Sequence, residues 1–510
     1  MRLKPTHLIA PGVATTLLLA ACASATISPA SSSRFASKST TSITASASAR
    51  TSTTKLATKG KSAPPSSKDG KPPSGGKAQP PSGPKSGAPT PPNGSGGPPG
   101  AGGAPGGASS SAVTGTGAYQ QSGGKAARSE KTITATKSDE SGVLVNKSGT
   151  LVLKDVMVKT TGSSSSSDDS SFYGLDAGVL ALSGSKITEK GGLVTTTGDG
   201  ANGVFSYGSG SSISISGATI KDNGQYAHGI MASGGGSITA TDLNVSTQGS
   251  SSAAVATDRG GGTIVVKGGT FRTAGRNSPG VYSTGTITLT GATFEATGAE
   301  AAVIEGSNSI VATNSNLTGT VNRGVLIYQS MSGDAQGQAG SYTQTGGSLS
   351  ALSGPLFYVT NTTATVKLSH VKTSETSGML LDAAAGNWGN AGSNGGSVTL
   401  TALDQPLDGN VVADKTSTVK LVLGDGSGLI GAVDTAGTAK EVTVSLDKSS
   451  EWALTANSHV TVLEDSAGVS GTSVTNIIGN GHDVYYKVKD NPLLGGKTYQ
   501  LAGGGQLIPS

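Results

Sequence analysis

Cysteine is almost absent: one residue, Cys22, stands in a chain of 510. No intramolecular disulfide can form, so a secreted protein of this sequence must draw its stability from its core. Histidine is scarce as well. His7, His228, His370, His459 and His482 are scattered, and no His/Cys spacing suggests zinc. No metal and no cofactor is expected. Aromatics make up 4% of the chain and charged residues 13%. So few large side chains cannot fill a thick core. Glycine, by contrast, occurs 79 times, about twice the usual share. With Val, Ile, Ala and Thr, this composition suits a thin, repetitive β core.

The first residues are ordered like a signal peptide. Arg2 and Lys4 precede an apolar run, Leu8 to Ala21, that is too short for a good membrane span. The run ends Leu19-Ala20-Ala21-Cys22, which resembles the bacterial lipobox. That resemblance implies cleavage before Cys22, acylation of the cysteine and attachment to a membrane through its lipid; several acyl chains anchor where one is marginal. Ala23, rather than Asp, follows. By the sorting rule of that family, this implies the outer membrane or cell surface where the cell has an outer membrane. The plainer alternative is a secretory signal with an incidental cysteine.

Residues 22–130 read as a disordered tether of Ser, Thr, Pro, Gly, Ala and Lys. They hold almost no large apolar side chain before Tyr119, so burial cannot offset the entropy of ordering them. Between 23 and 130 there are 12 Lys/Arg and 2 Asp/Glu; from 131 onward there are 22 and 29. The basic balance therefore belongs to the tether and the remainder is acidic. The tether lysines either keep it solvated or run along anionic cell-wall polymer or headgroups. Nucleic acid is not an expected partner, since the basic segment has no interleaved aromatics.

A repeat fills the rest. Seven strand openings align: Leu151, Ile187, Ile213, Ile238, Ile264, Ile287 and Ile310. Seven positions later each has an apolar residue: Val158, Val194, Ile220, Val245, Phe271, Phe294, Leu317. Eleven positions after the opening, six of the seven have glycine: Gly162, Gly198, Gly224, Gly249, Gly275, Gly298. A third apolar start follows the turn at Val204, Ile230, Val255, Val281, Val303 and Val325. Each unit thus holds three short strands of period two, with corner glycines suited to positive φ. One unit cannot bury its apolar strip alone; stacked units can. The expectation is an all-β, right-handed, single-stranded parallel β-helix of eleven to thirteen coils over 131–464. Residues 465–510, richer in aromatics, are read as an end cap over otherwise bare strand edges, and residues 1–21 as the signal peptide. The nine-residue calcium-binding pattern does not occur.

Segments such as Gly280-Val-Tyr-Ser-Thr-Gly-Thr-Ile-Thr-Leu-Thr-Gly-Ala-Thr-Phe294 and Val442-Thr-Val-Ser-Leu-Asp-Lys-Ser-Ser-Glu-Trp452 resemble bacterial β-helix surface proteins of the adhesin and autotransporter-passenger type. The resemblance implies a surface-exposed, adhesive or structural rod. It departs from autotransporters in lacking amphipathic strands for a membrane barrel before Ser510, so anchoring is expected to rest on the lipid.

No catalytic constellation stands out. Asp168 and Asp169 sit in a serine run expected to be flexible. Asp199, Asp222, Asp242 and Asp258 fall in different repeat phases, and the pattern places no Arg beside Glu300 and Glu305. Two long insertions interrupt the repeat at one corner, Gln329–Ser341 and Ala384–Gly396. They carry the candidate ligand-binding residues Asp334, Gln336, Asn387, Trp388 and Asn390. Trp388, flanked by Gly and Asn, reads as an exposed platform for a sugar ring, or else as an anchor folded back on its own coil. The ridge of turns adds Tyr226, His228, Arg276 and Arg323, with His228 read as an exposed turn residue. The leading expectation is a non-catalytic surface lipoprotein that contacts glycan, matrix or cells. The alternatives are a polysaccharide-degrading β-helix enzyme and an envelope scaffold without an external ligand. The sequence leaves oligomeric state open.

Overall fold

The computed structural model describes residues 115–510. The signal peptide, Cys22 and most of the tether lie outside the described residues. Within them the chain is a parallel β-solenoid of about 16 turns, more than the eleven to thirteen expected. Part of the difference lies at the start. Strands β1 (Thr116–Ser122), β2 (Lys125–Ser129) and β3 (Thr132–Ala135) form a first coil, mostly in residues assigned by sequence to the tether. Its inward hydrophobics are few: Tyr119, Ala126 and Ile133, partly buried against the core, and the small Ala135. So sparse a pattern reads as linker.

Each coil contributes to two long sheets. One has 12 strands, from β1 to Asn410–Ala413, and the other has 22. The expected rows stack in register. Leu151 pairs with Ile187, Ile187 with Ile213, and so on through Ile238, Ile264 and Ile287 to Ile310. The second row runs from Val158 through Val194 to Leu317 in the same way. Their side chains form one continuous buried cluster. The third row needs one correction. Val281 pairs with Ala302, and Val303 faces outward opposite Tyr282 and Leu326.

The register glycines also stack, but not for the reason expected. None has positive φ. A Cβ on Gly224 would overlap the carbonyl oxygen of Gly198, one on Gly249 that of Gly224, and one on Gly275 that of Gly249. Close backbone approach excludes every side chain there. Positive φ belongs two residues later, at Gly200, Tyr226, Ser251 and Asn277.

Beyond Asn410–Ala413 a third, nine-stranded sheet takes over. Trp452 is fully buried beneath it, with Nε1 donating to the Gly431 carbonyl at 2.9 Å. Residues 465–510 contain two antiparallel pairings, Val469–Ser470 with Ser473–Ile478 and Tyr499–Ala502 with Gln506–Pro509. Among the described residues no helix is long and apolar enough to cross a membrane.

Candidate functional site

Along its middle the 12-stranded sheet is buried on both faces. Its strands read as continuous apolar runs, such as Val-Phe-Ser-Tyr (204–207) and Val-Leu-Ile-Tyr (325–328), while the 22-stranded sheet alternates buried and exposed positions. Continuous runs are the mark of double-sided burial. Successive coils line the outer face with Leu144, Leu180, Phe205, Met231, Ala256, Tyr282, Val303, Leu326 and Tyr358.

Three insertions cover that face. The serine run is not flexible: helix α1 (Ser167–Tyr173) forms there, capped by Ser166, with Asp168 and Asp169 in its first turn. The Ser166 N-cap, the acids of the first turn and the Gly174 C-cap outweigh the poor helix propensity of serine. Gly174 at its C-terminus packs against Phe205, and Ser233 Oγ donates to the Phe172 carbonyl at 2.6 Å. The other two covers are the insertions after Tyr328 and after Ala383. As expected, both leave a strand of the 12-stranded sheet and return to the 22-stranded one with one full coil, Thr362–Ser369, between them.

Of the two readings of Trp388, the structure shows the folded-back anchor and not the exposed platform. Trp388 is 7% exposed and packs on Tyr328, with ring centroids 4.5 Å apart, in a cluster with Val303 and Leu326. Asn394 holds the loop in this position by donating from Nδ2 to the carbonyls of Gly386 and Trp388. Glycine neighbours let the chain bend inward here, and the apolar outer face supplies the partner. Asn387 and Asn390 remain exposed on the same loop. In the first insertion Gln336 is exposed and its carbonyl accepts from the Ser307 amide at 2.8 Å. Asp334 is taken up in an ion pair with Arg259 at 2.7 Å, and the Arg259 guanidinium lies 3.8 Å above the Phe172 ring.

A second outer row carries carboxylates. Continuing the register Ala256, Tyr282, Val303 by two residues sets Asp258, Thr284 and Glu305 in one line, with Asp334 reaching it from the insertion. The repeat phases had been read as keeping the acids apart; they do not exclude this row. Glu305 accepts from Tyr282 at 2.6 Å, from Tyr328 at 2.7 Å and from Ser330. Burial, and after it the carboxylates of Asp334 and Glu305, push Asp258 well above the usual carboxylate range.

The ridge residues divide. Arg276 is exposed and Tyr226 half-buried. His228 is not an exposed turn residue. Its Nδ1 accepts from the Ala253 amide at 2.9 Å, its own amide donates to Asn202 Oδ1 at 2.8 Å, and burial pushes its pKa down to about 4. It is a rung in a ladder of side-chain-to-backbone bonds. Arg323 is also drawn in. It pairs with buried Glu300 at 2.9 Å and lies 4.6 Å over the Tyr358 ring. The pattern had put no arginine beside Glu300; the shortened turn at Val321, where the register glycine is missing, brings it there.

The corner where the two insertions return is open. A polar notch of about 250 Å³ lies there, lined by Gln338, Asn361, Thr362, Thr363, Ser397, Thr416 and neighbours. Asn361 and Thr362 are 6% and 5% exposed. Thr363, Ser397 and Thr418 occupy one row on successive coils, and the Ser397 and Thr418 hydroxyls are hydrogen-bonded at 2.7 Å. The sequence pointed to the tips of the insertions; their roots form the cavity. The Thr/Ser at each strand opening was the available signal.

Among the described residues no group of three or more His, Cys, Asp or Glu side chains is arranged to hold a metal ion. No protein-family model and no curated protein matches the chain.

Proposed function

We propose that the protein is a non-catalytic, lipid-anchored surface rod that contacts a glycan, matrix or cell-surface partner through the corner at which its insertions return. The observation that carries this reading is the polar notch, set on strand openings of successive coils rather than on a loop tip. Strand-borne groups are held rigidly, and preorganised hydroxyl and amide groups favour a hydroxylated ligand. Cys22 supports the anchoring part. The test is a glycan and matrix array probed with full-length protein, together with protease accessibility on intact cells. Retention of defined ligands and cleavage on intact cells support the reading. No retained ligand, or complete protection, refutes it.

A second reading, a polysaccharide-degrading enzyme, is favoured by one observation, the carboxylate row of Asp258 and Glu305 with Asp258 held toward its protonated form. Glycoside hydrolysis requires two carboxyl groups, one of them able to donate a proton. Release of reducing ends from polysaccharides, with and without calcium, that is lost in Asp258→Asn, is the result this reading requires.

A further inference from the structure

The notch has a charge preference written into its lining. Eleven residues line it: three glycine or glutamine positions at its rim (Gln338, Gly395, Gly396), Asn361, six serines and threonines, and Lys440. No carboxylate and no aromatic ring is among them. Every lining side chain except Lys440 is a neutral hydrogen-bonding group, so the cavity offers no apolar surface and no negative charge. Lys440 is exposed, and none of the ion pairs among the described residues uses it.

One acid close to the wall, Asp414, is turned away from this role. Asp414 Oδ1 accepts from the Thr416 amide at 2.9 Å, from Thr416 Oγ1 at 2.7 Å and from Ser417 Oγ at 2.7 Å, while Oδ2 accepts from the Ala385 amide at 2.8 Å. Both its oxygens are occupied, and what they do is fix the Thr416 turn at the notch wall. One buried acceptor lacks a partner: Asn394 Oδ1, on the residue between lining residues Ser393 and Gly395.

The row Thr363, Ser397, Thr418 runs parallel to the solenoid axis, at the inter-strand spacing of about 4.8 Å. That is close to the advance of one pyranose ring along an extended chain. The row is bounded by Ala339 on one side and by exposed Glu441 on the other. A chain lying in the notch therefore has its hydroxyls met coil by coil, and an acidic group on it is attracted at Lys440 and repelled beyond Thr418.

We infer that the notch binds a saccharide carrying a single acidic group, with its hydroxyls on the Thr363–Ser397–Thr418 row and its carboxylate or sulfate at Lys440. This rests on the surface-binding reading above and narrows it to a ligand class. The shared chemistry of the two candidate groups is a monoanion on a pyranose.

The test uses full-length protein and calorimetric titration with methyl β-glucuronide, methyl β-glucoside, a 6-sulfated methyl glucoside and inorganic sulfate. The expected result is at least a tenfold preference for one or both acidic glycosides over the neutral one. Lys440→Gln is expected to bring the glycosides to within about twofold of one another, and Ser397→Val to weaken them all. The ratio of glucuronide to sulfated-glucoside affinity identifies the acidic group. Lys221→Ala, at an exposed position several coils away, is the control and should change nothing. Equal affinity for acidic and neutral glycosides overturns the inference, as does a preference that survives Lys440→Gln, or inorganic sulfate that competes as well as the glycosides do. If the array and cell assays show binding that Lys440→Gln and Ser397→Val leave intact, the inference fails and the surface-binding reading stands. If they show no binding at all, both fail.

Discussion

Glu189 offers a clean test of the dry core. It lies in the inward row of the 22-stranded sheet, between Leu153 on one coil and Ile215 on the next. It is 1% exposed, and both carboxyl oxygens are buried without a hydrogen-bond partner. Burial alone pushes its pKa from 4.5 to about 8. In the unfolded chain the group loses its proton near the ordinary value; in the fold it keeps it to about 8. Stability is therefore fully present below pH 4.5 and is lost progressively as pH rises to about 8, where the folded form also ionises. At about 1.4 kcal/mol per pH unit, the loss over that interval is of the order of 5 kcal/mol, and by pH 7 about 3 kcal/mol of it has gone.

The perturbation is Glu189→Leu, which matches its neighbours in the row. Urea unfolding followed by far-UV circular dichroism between pH 4.5 and 9 is the assay. Asp176, pushed up to about 7 by burial first and by Asp139 second, and Asp222, raised chiefly by burial, tilt both proteins in the same direction. The difference between wild type and variant isolates Glu189. The variant should be more stable at pH 8, and the gap should shrink toward pH 4.5. Parallel stability curves would show that Glu189 reaches water or a partner, and the argument for a sealed core at that coil would be wrong.

Gly224→Ala should cost at least about 2 kcal/mol in the same urea assay, because a Cβ there meets a backbone carbonyl that cannot move. Gly217→Ala, at φ 63° with open space around it, should cost only about 1 kcal/mol. Trp388→Ala should remove about 3 kcal/mol of local packing. Proteolysis should then cut faster within 384–396 while the distant coils stay protected. Glu300→Gln alone should destabilise by about 3 kcal/mol, since Arg323 is left buried without its partner. The double variant Glu300→Gln/Arg323→Met should recover much of that loss in thermal melts.

Much of the fold was legible because the repeat obeys a strict rule at few positions. The inward rows Leu151–Ile310 and Val158–Leu317 are readable from identity and spacing alone. So is the glycine column, although its cause is the carbonyl of the coil below and not a left-handed turn. The first coil was missed because Tyr119, Ala126 and Ile133 are too few to make a pattern. The site was less legible. Alternation shows which residues point inward, but it is silent on what covers an outward row. Trp388 among glycines looked exposed for that reason, and α1 was hidden by its serines. Arg323 and Glu300 come together through a turn that breaks the repeat, where extrapolating the repeat gives no guidance.

The covered sheet bears directly on where this protein can act. An outward row of Leu, Phe, Met, Val and Tyr across nine coils would be a large exposed apolar face, and faces of that kind drive association. Here α1 closes it from the strand openings, and the insertions after Tyr328 and Ala383 close it from the strand ends. The insertions that looked most like ligand-binding loops are thus committed to shielding their own sheet. Their roots are not. At Thr363, Ser397 and Thr418 the chain has already entered the 22-stranded sheet, so its backbone is fixed by parallel pairing on both sides while its side chains face outward. Fixed backbone and outward-facing hydroxyls together are what selective binding of a hydroxylated ligand requires. This division explains why weakening the cover and altering the notch should be separable. Trp388→Ala should expose the 384–396 segment to protease, whereas Ser397→Val should leave proteolysis unchanged and affect only the ligand titration.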